Sequence, residues 1–444
     1  MNKTEKEFKT TVLPFKPYIY SGRFADNIKD LVAPPYDVIS KELQGDLYAR
    51  SRYNIVRLEF GKESAGDNEK ENKYTRAGSL FKEWINKGVL KAESDNSIYI
   101  YTQTFNIENV SYERIGFLSL FMLPESQDNN SIYGHEATLS KPKEDRFKLI
   151  DAAKANFSPI FSVFEDKNSV VLNILKKSIK DGIAEKLFDF NDENGINNVL
   201  YRVNSINIIG LIQNEMGDKS VYIADGHHRF ETCINFRDYV KKQAIKGINA
   251  DSCLMYFAPS NQDGLVILPT HRGIKGKSID TQNFLKIIKE DFNYQETSLD
   301  GLLKENKKAG KNSVSFGFAH KMGRGFILSF KNAPDNQDNK NKDKSDNNPL
   351  EKLDVSILQE YILKKALNIT QEEIDTQKYL VYEKDAKKAL EKVKNGNLEA
   401  IFFMNPTKIE DVVKIASLNL RMPQKSTYFY PKIISGLVIN PLIK

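Results

Sequence analysis

Two apolar runs set the first limit on how this chain can fold. Arg114 to Leu123, RIGFLSLFML, is almost continuously apolar, and Ser252 to Pro259, SCLMYFAP, nearly matches it. Both fall well short of the roughly 18 uninterrupted apolar residues of a membrane span, so they predict strands inside a soluble core. The run from Arg114 has the composition of a deeply buried strand. Just before it, SIYIYTQTF from Ser97 alternates as a strand does, and the short spacing predicts antiparallel neighbours. Helices must cover such a sheet. One is predicted from Glu71 to Lys87, where Tyr74, Ala77, Leu80, Phe81, Trp84 and Ile85 recur at three- and four-residue steps before Gly88.

Farther along, SVYIAD from Ser220 to Asp225 reads as a strand, GHH as a turn, and Arg229 to Lys242 as a helix. The runs SCLMYFAP and GLVILPTH, separated by SNQD, are expected to pair as a hairpin that brings Thr270, His271 and Arg272 to a sheet end. SVSFGFAH and GFILSF are expected to form a second pair. From Asp354 to Ser417 helix and strand alternate. The polar segment 332–349 has the composition of a disordered insertion. The fold class is therefore α/β or α+β, mixed sheets flanked by helices. Its 444 residues are expected to divide at about 1–125, 126–275 and 276–444.

Charge narrows the function classes. The 65 Lys and Arg against 59 Asp and Glu leave +6 spread along a chain rich in both signs, unlike the concentrated basic face of a nucleic-acid binder. The two cysteines, Cys233 and Cys253, are too few for a disulfide framework or a four-ligand zinc site, and read as core thiols in a reducing compartment. The segment MNKTEKEFKT lacks the apolar region of a secretory signal. A cytoplasmic protein with a small-molecule substrate is expected, without nucleic-acid or membrane partners and with its oligomeric state open.

The densest chemistry is IADGHHRFET, Ile223 to Thr232. A turn ahead of a helix can turn backbone N–H groups and the helix dipole toward an anion, with Gly226 allowing close approach and Arg229 adding a bidentate phosphate contact. The plainer alternative makes Asp225 an N-cap and Arg229 a solvated first-turn residue. His227 and His228 are adjacent, so their rings diverge, unlike the i, i+4 pair of a helical zinc motif. A second cluster, GHEATLSKPKEDR, sets His135 and Glu136 beside Lys141, Lys143 and Arg146. A carboxylate there can act as general base or hold Mg²⁺ while cations neutralise phosphate, or the whole can be a charged loop entering a helix near Glu144. Thr270 to Arg272, and Gln424 to Thr427 with Lys425 and Ser426, could each bind phosphate or simply turn the chain. In LVAPPYDVIS, Pro34 and Pro35 fix a kink that reads first as a structural turn and second as a device to aim Tyr36 or Asp37 at a pocket. The chain contains no P-loop, GxSxG, HExxH or kinase signature.

The ordered set VAPPYDVIS, GHEATLSKPKEDR, IADGHHRFET, PTHR and MPQKSTYFYPK resembles domain-of-unknown-function family 1015 over nearly the whole chain. That family name carries no activity. The ADGHHR box also looks like the Asp-Gly-His-X-Arg box of the ParB/sulfiredoxin superfamily, which includes partitioning CTPases, sulfiredoxin and free serine kinases. This second resemblance implies a ParB/sulfiredoxin-like core, a phosphate or Mg²⁺ role for Asp225, Gly226, His227, His228 and Arg229, and ATP or ADP as cofactor. Members of the first family often lie beside serine-biosynthesis genes, a setting similar to that of a phosphoserine-forming or phosphoserine-consuming enzyme.

Together these features describe an enzyme that binds a nucleotide or phosphorylated metabolite and transfers or removes a phosphoryl group on a small metabolite such as serine or phosphoserine. The candidate catalytic residues are Glu136, Asp225, His227 and His228, with Asp225 and Glu136 as Mg²⁺ ligands. Gly226, Arg229, His135, Lys141, Arg146, Thr270, His271, Arg272, Lys425 and Ser426 would bind the ligand. Two alternatives use the same residues: a metal-dependent hydrolase built on the His/Glu clusters, and a non-enzymatic nucleotide-gated regulator.

Overall fold

The computed structural model describes residues 9–125, 131–136, 138, 140–311, 313–331 and 348–443. Apart from Asn348 and Pro349, the polar segment expected at 332–349 lies outside them. The described residues within Met1–Gly134, Thr138–Val266 and Pro431–Lys444 form one compact unit, and those within His135–Ala137 and Ile267–Tyr430 form a second. The segments expected at 1–125 and 126–275 thus contribute to one shared sheet, because strands from each pair with the other.

That sheet contains β1 (Val12–Leu13), β2 (Ile98–Ile107), β3 (Val110–Met122), β4 (Ile132–Tyr133), β5 (Ile160–Phe164), β6 (Glu185–Asn191), β7 (Asn197–Val203), β8 (Val221–Asp225) and β9 (Ser252–Pro259). Its order is β4-β8-β5-β9-β3-β2-β7-β6, with β1 pairing β3. As the spacing predicts, β2 and β3 are antiparallel, Tyr99 opposite Leu118. Strand β9 is buried along its whole length between antiparallel β3 and parallel β5. Those two partners leave β9 no open edge, so the expected hairpin with the run from Gly264 does not form. His271–Ile274 instead enters the sheet of the second unit.

Around this sheet lie α1 (Val56–Glu59), α2 (Lys73–Asn86), α3 (Ser140–Ala153) and α4 (His227–Lys242). Helix α2 closes its start with a capping box, Asn72 accepting from the Thr75 N–H while Thr75 accepts from Asn72. It packs on α3, and α3 on α4. The α2–α3 approach depends on Gly78, where an added Cβ would lie 2.5 Å from the Ala152 carbonyl oxygen. Helix α3 begins at Ser140, earlier than the Glu144 start expected, and α4 takes in both histidines of the expected turn. Phe117, Phe121, Phe164, Phe230, Phe236, Met255 and Phe257 fill the core, and Trp84 and both cysteines are buried.

The second unit is built on an antiparallel sheet of β10 (His271–Ile274), β11 (Phe292–Thr297), β12 (Ser315–His320), β13 (Arg324–Phe330), β14 (Leu380–Glu383) and β15 (Ala400–Phe403), in the order β11-β13-β12-β15-β10-β14. Strands β12 and β13 are the pair expected from SVSFGFAH and GFILSF. Leu302, Ile327, Leu390, Val393, Ile401 and Phe403 pack on one side. The helix expected from Asp354 is α-helical only to Ile357, and Leu358–Ala366 is a π-helix. Both units are mixed α/β, with helices flanking sheets. Among the described residues no helix is long and apolar enough to cross a membrane.

Candidate functional site

In the first unit, β8 delivers Asp225 to the start of α4. A register shift against β5 between Ile223 and Asp225 leaves Ala224 as an extra residue, which redirects the strand end as bulges do. Gly226 follows in the left-handed region at φ 96° and N-caps α4 without a side-chain hydrogen bond. A Cβ there would sit 2.9 Å from Arg229 Nε, so only glycine lets the guanidinium fold back over the turn. Arg229 then bonds Asp225 Oδ2 at 2.6 Å, one helical turn away. Its Nη1 also donates to the Pro159 carbonyl.

Lys432 completes this group by pairing with the other oxygen, Asp225 Oδ1. The backbone around the lysine is held from inside the sheet. Arg114, fully buried, donates to the Pro431 carbonyl at 2.6 Å, and Gln103 donates to the Lys432 carbonyl at 3.1 Å. Burial opposes ionisation of Asp225, but Lys432, Arg229 and His227 outweigh it and hold the carboxyl well below its ordinary range.

A second buried ion pair lies near the first. Glu59, at the end of α1, is 3% exposed. It accepts from Ser158 Oγ at 2.7 Å and from Arg146 Nη1 at 3.3 Å. Burial raises its pKa more than Arg146 and Ser158 lower it, so Glu59 is poised above an ordinary glutamate. Arg146 also grips Asp145 Oδ2 at 2.6 Å, while Tyr74 donates to Asp145 Oδ1 at 2.7 Å and Lys73 lies 2.9 Å from it. Although burial opposes it, this set brings Asp145 down to about 2. The Arg146 guanidinium lies 3.9 Å from the Tyr36 ring centroid, and burial pushes that phenol up to about 12.

Glu59, Arg146, Ser158, Thr232 and Arg229 share the wall of one small cavity. Arg229 is 8% exposed, and its Nε has no hydrogen-bond partner among the described residues. A buried guanidinium edge with an open N–H beside a cavity attracts an oxyanion. A carboxyl with a raised pKa on the same wall can take a proton. Such a wall offers the groups that anion binding and proton abstraction need.

Among the other expected site residues of the first unit, His227 is buried, His228 half-buried and Lys141 exposed at the start of α3. Lys143 pairs with Glu231 at 3.0 Å rather than with the cavity group. Tyr36 sits in a one-turn 3-10 helix, and Asp37 is exposed. Asp225 has both oxygens committed to cations, which makes it a poor Mg²⁺ ligand in this arrangement. Among the described residues no three His, Cys, Asp or Glu side chains gather as a metal centre.

The remaining expected residues belong to the second unit. There His135 is buried with Nε2 3.0 Å from Thr427 Oγ1, and Glu136 bridges to Met422. Thr270, His271 and Arg272 are all buried on or beside β10. The His271 Nδ1 accepts from the Met404 N–H at 3.1 Å, and burial together with Arg272 lowers its pKa to about 4, so the ring is neutral. Lys425 is exposed at φ 57°, and Ser426 Oγ donates to the Pro423 carbonyl at 2.5 Å. The ligand set imagined for a metal hydrolase is thus divided, His227 and His228 in one unit and His135, Glu136 and His271 in the other.

Sequence reasoning missed Glu59, Ser158, Asp145 and Lys432. Lys432 stands inside the MPQKSTYFYPK stretch that carries the family resemblance. Glu59 had only one local signal, a carboxylate within the apolar NIVRLEF segment.

The family model described as "Protein of unknown function (DUF1015)" matches residues 12–356. No curated protein matches the chain. Among solved structures, the chain is similar to a free serine kinase in complex with AMP at 13% identity and a TM-score of 0.37, covering 70% of this chain and 88% of that one. A conserved hypothetical protein from Pyrococcus furiosus is similar at 13% identity and a TM-score of 0.35, covering 70% and 92%. SbnI with C-terminal truncation from Staphylococcus aureus is similar at 9% identity and a TM-score of 0.32, covering 70% and 84%.

Proposed function

For this chain, which belongs to the DUF1015 family, we propose phosphoryl transfer from a nucleotide to the hydroxyl of a small metabolite, carried out in the cavity of the first unit. The observation that carries the reading is the shared wall of Glu59 and Arg229, a buried carboxyl with a raised pKa in the same cavity lining as a buried guanidinium whose Nε has no partner among the described residues. Phosphoryl transfer asks the protein for charge neutralisation, alignment and a base, and little covalent chemistry. Arg229 binds phosphate oxygens through Nε, and Arg146 adds positive charge to the same wall. Lys432 keeps Asp225 ionised, which holds Arg229 in place.

Glu59 takes the proton of the acceptor hydroxyl as its oxygen bonds to the terminal phosphorus. The bond from that phosphorus to its bridging oxygen breaks, and the nucleotide, shorter by one phosphate, leaves with the bond pair. The ADGHHR box, with its resemblance to phosphate-contacting boxes, supports the anion half of this reading. Serine is the acceptor that resemblance implies, with ATP or ADP as the nucleotide. Magnesium travels with such nucleotides, bound to their phosphates.

Thermal unfolding of the full chain against ATP, ADP, CTP, serine and phosphoserine, with and without Mg²⁺, tests the reading. A ligand at about 100 times its dissociation constant stabilises by roughly 2.7 kcal/mol. A nucleotide-dependent rise, followed by phosphoserine formation from ATP and serine in ³¹P NMR, is the expected result. No shift with any nucleotide would overturn it. A shift with phosphoserine alone would replace transfer with hydrolysis.

A further inference from the structure

Arg272 in the second unit is deeply buried, and its compensation differs from that of three buried arginines of the first. Arg146, Arg229 and Arg237 are each largely buried and each touch a carboxylate, Glu59, Asp225 and Asp238 respectively. Arg272, on β10 opposite Tyr382 and Phe402, is 5% exposed. Its Nη1 donates to the Thr270 carbonyl, and its Nη2 to the carbonyls of Lys425 at 3.0 Å and Gln424 at 3.4 Å. Its Cζ lies 5.2 Å from the Tyr382 ring centroid. These partners are dipoles and a π face, and among the described residues no carboxylate pairs with it. Burial lowers its pKa to about 10 while Tyr382 opposes the shift, so it remains charged at neutral pH. A buried cation without a counter-charge is costly unless an anion joins it.

Space for that anion is present. Arg272 lines a cavity of about 160 Å³ within the second unit, whose wall is mixed, with Leu358, Leu363, Ile374 and Met422 beside Gln359, Gln371 and Tyr382. The π-helix Leu358–Ala366 shapes this wall. Hydrogen bonds from i to i+5 stack Leu358 near Leu363, whereas 3.6 residues per turn would rotate them apart. Segments of π-helix recur where helices are bent to functional ends. The exposed Asp375 also lines the cavity and accepts from Gln371 at 2.9 Å. A single guanidinium on the wall matches a single negative charge better than a phosphate dianion.

We propose that this cavity binds a small organic carboxylate, with its head on Arg272 and its aliphatic or aromatic body against the leucine and isoleucine wall. The site is separate from the phosphoryl-transfer cavity and does not rest on that reading.

Hexanoate and phenylacetate, titrated into the full chain by calorimetry, are the probes, with hexylamine and inorganic phosphate alongside. Saturable binding of one carboxylate is expected, without hexylamine or phosphate binding at Arg272. Arg272→Gln should weaken it at least tenfold, and so should Ile374→Trp, which fills the cavity while leaving the guanidinium in place. Any nucleotide-dependent thermal shift should survive Ile374→Trp. Failure of both carboxylates to saturate the unmodified protein would overturn the proposal, as would binding by phosphate alone. So would unchanged carboxylate binding in either variant with its circular dichroism intact, and the tryptophan variant decides the matter if Arg272→Gln does not fold.

Discussion

Lys432 and Asp225 stand 207 residues apart in the chain and form an ion pair within the first unit. The pair joins the last stretch of the chain to the start of α4 and fixes the charge state of the carboxylate that restrains Arg229. Lys432→Met should destabilise the protein by roughly 1–3 kcal/mol at pH 7, less than a fully orphaned buried charge because Arg229 remains. Asp225 is depressed below its unfolded value, so its contribution is present above about pH 4 and is lost as pH falls further. Urea unfolding should therefore show the gap between the two proteins narrowing below about pH 4. A gap independent of pH would mean that Lys432 acts through packing alone.

Glu59→Gln removes the proposed base while keeping a side chain that Ser158 and Arg146 can still hold. Nucleotide binding, read by thermal shift, should persist, and turnover should fall by about 10²- to 10⁴-fold. Turnover within a factor of ten of the unmodified protein would assign the base elsewhere.

Gly78→Ala tests the helix contact beside this site. In a free helix interior the change would stabilise by about 1 kcal/mol. Here the new methyl meets the Ala152 carbonyl at 2.5 Å, a backbone atom that cannot swing aside. The expected outcome is a net loss of roughly 1–3 kcal/mol by denaturant unfolding, the opposite sign to propensity. A stabilised variant would show that α2 and α3 separate without cost.

Asp354 provides a pH test in the second unit. Burial, then the nearby Asp411, raises its pKa to about 6 against the pull of Lys408. A carboxyl raised on folding holds its proton more tightly in the folded state, so stability falls as pH rises from about 4 to 6 and then levels. Asp354→Asn should remove that fall, leaving the variant about 1–2 kcal/mol more stable at pH 8 and nearly equal at pH 4. Parallel pH profiles for the two proteins would contradict the shift.

What was legible in the sequence was local. Alternation after Ser97 and the apolar run from Arg114 identify an antiparallel pair because strand periodicity is written in adjacent residues. Asp225 and Arg229 are recognisable together because four residues make one helical turn. Arg146 is visible as a cation, but its partner Glu59 lies 87 residues away, with nothing local to join them. Periodicity marks Ser252–Pro259 as a strand without naming its neighbours, and the missing hairpin follows from two distant strands taking both its edges. The change from α to π at Leu358 is equally hidden, since the apolar spacing of 354–367 accommodates either helix.

The residues within Pro431–Lys444 belong to the first unit although the second unit precedes them in the chain. During synthesis, then, the sheet that holds Asp225 must wait while more than 160 residues emerge before Lys432 arrives. Until that moment Asp225 and Arg229 are joined without their third member. A nascent chain stalled within the second unit would carry every lining residue of the cavity and still lack Lys432.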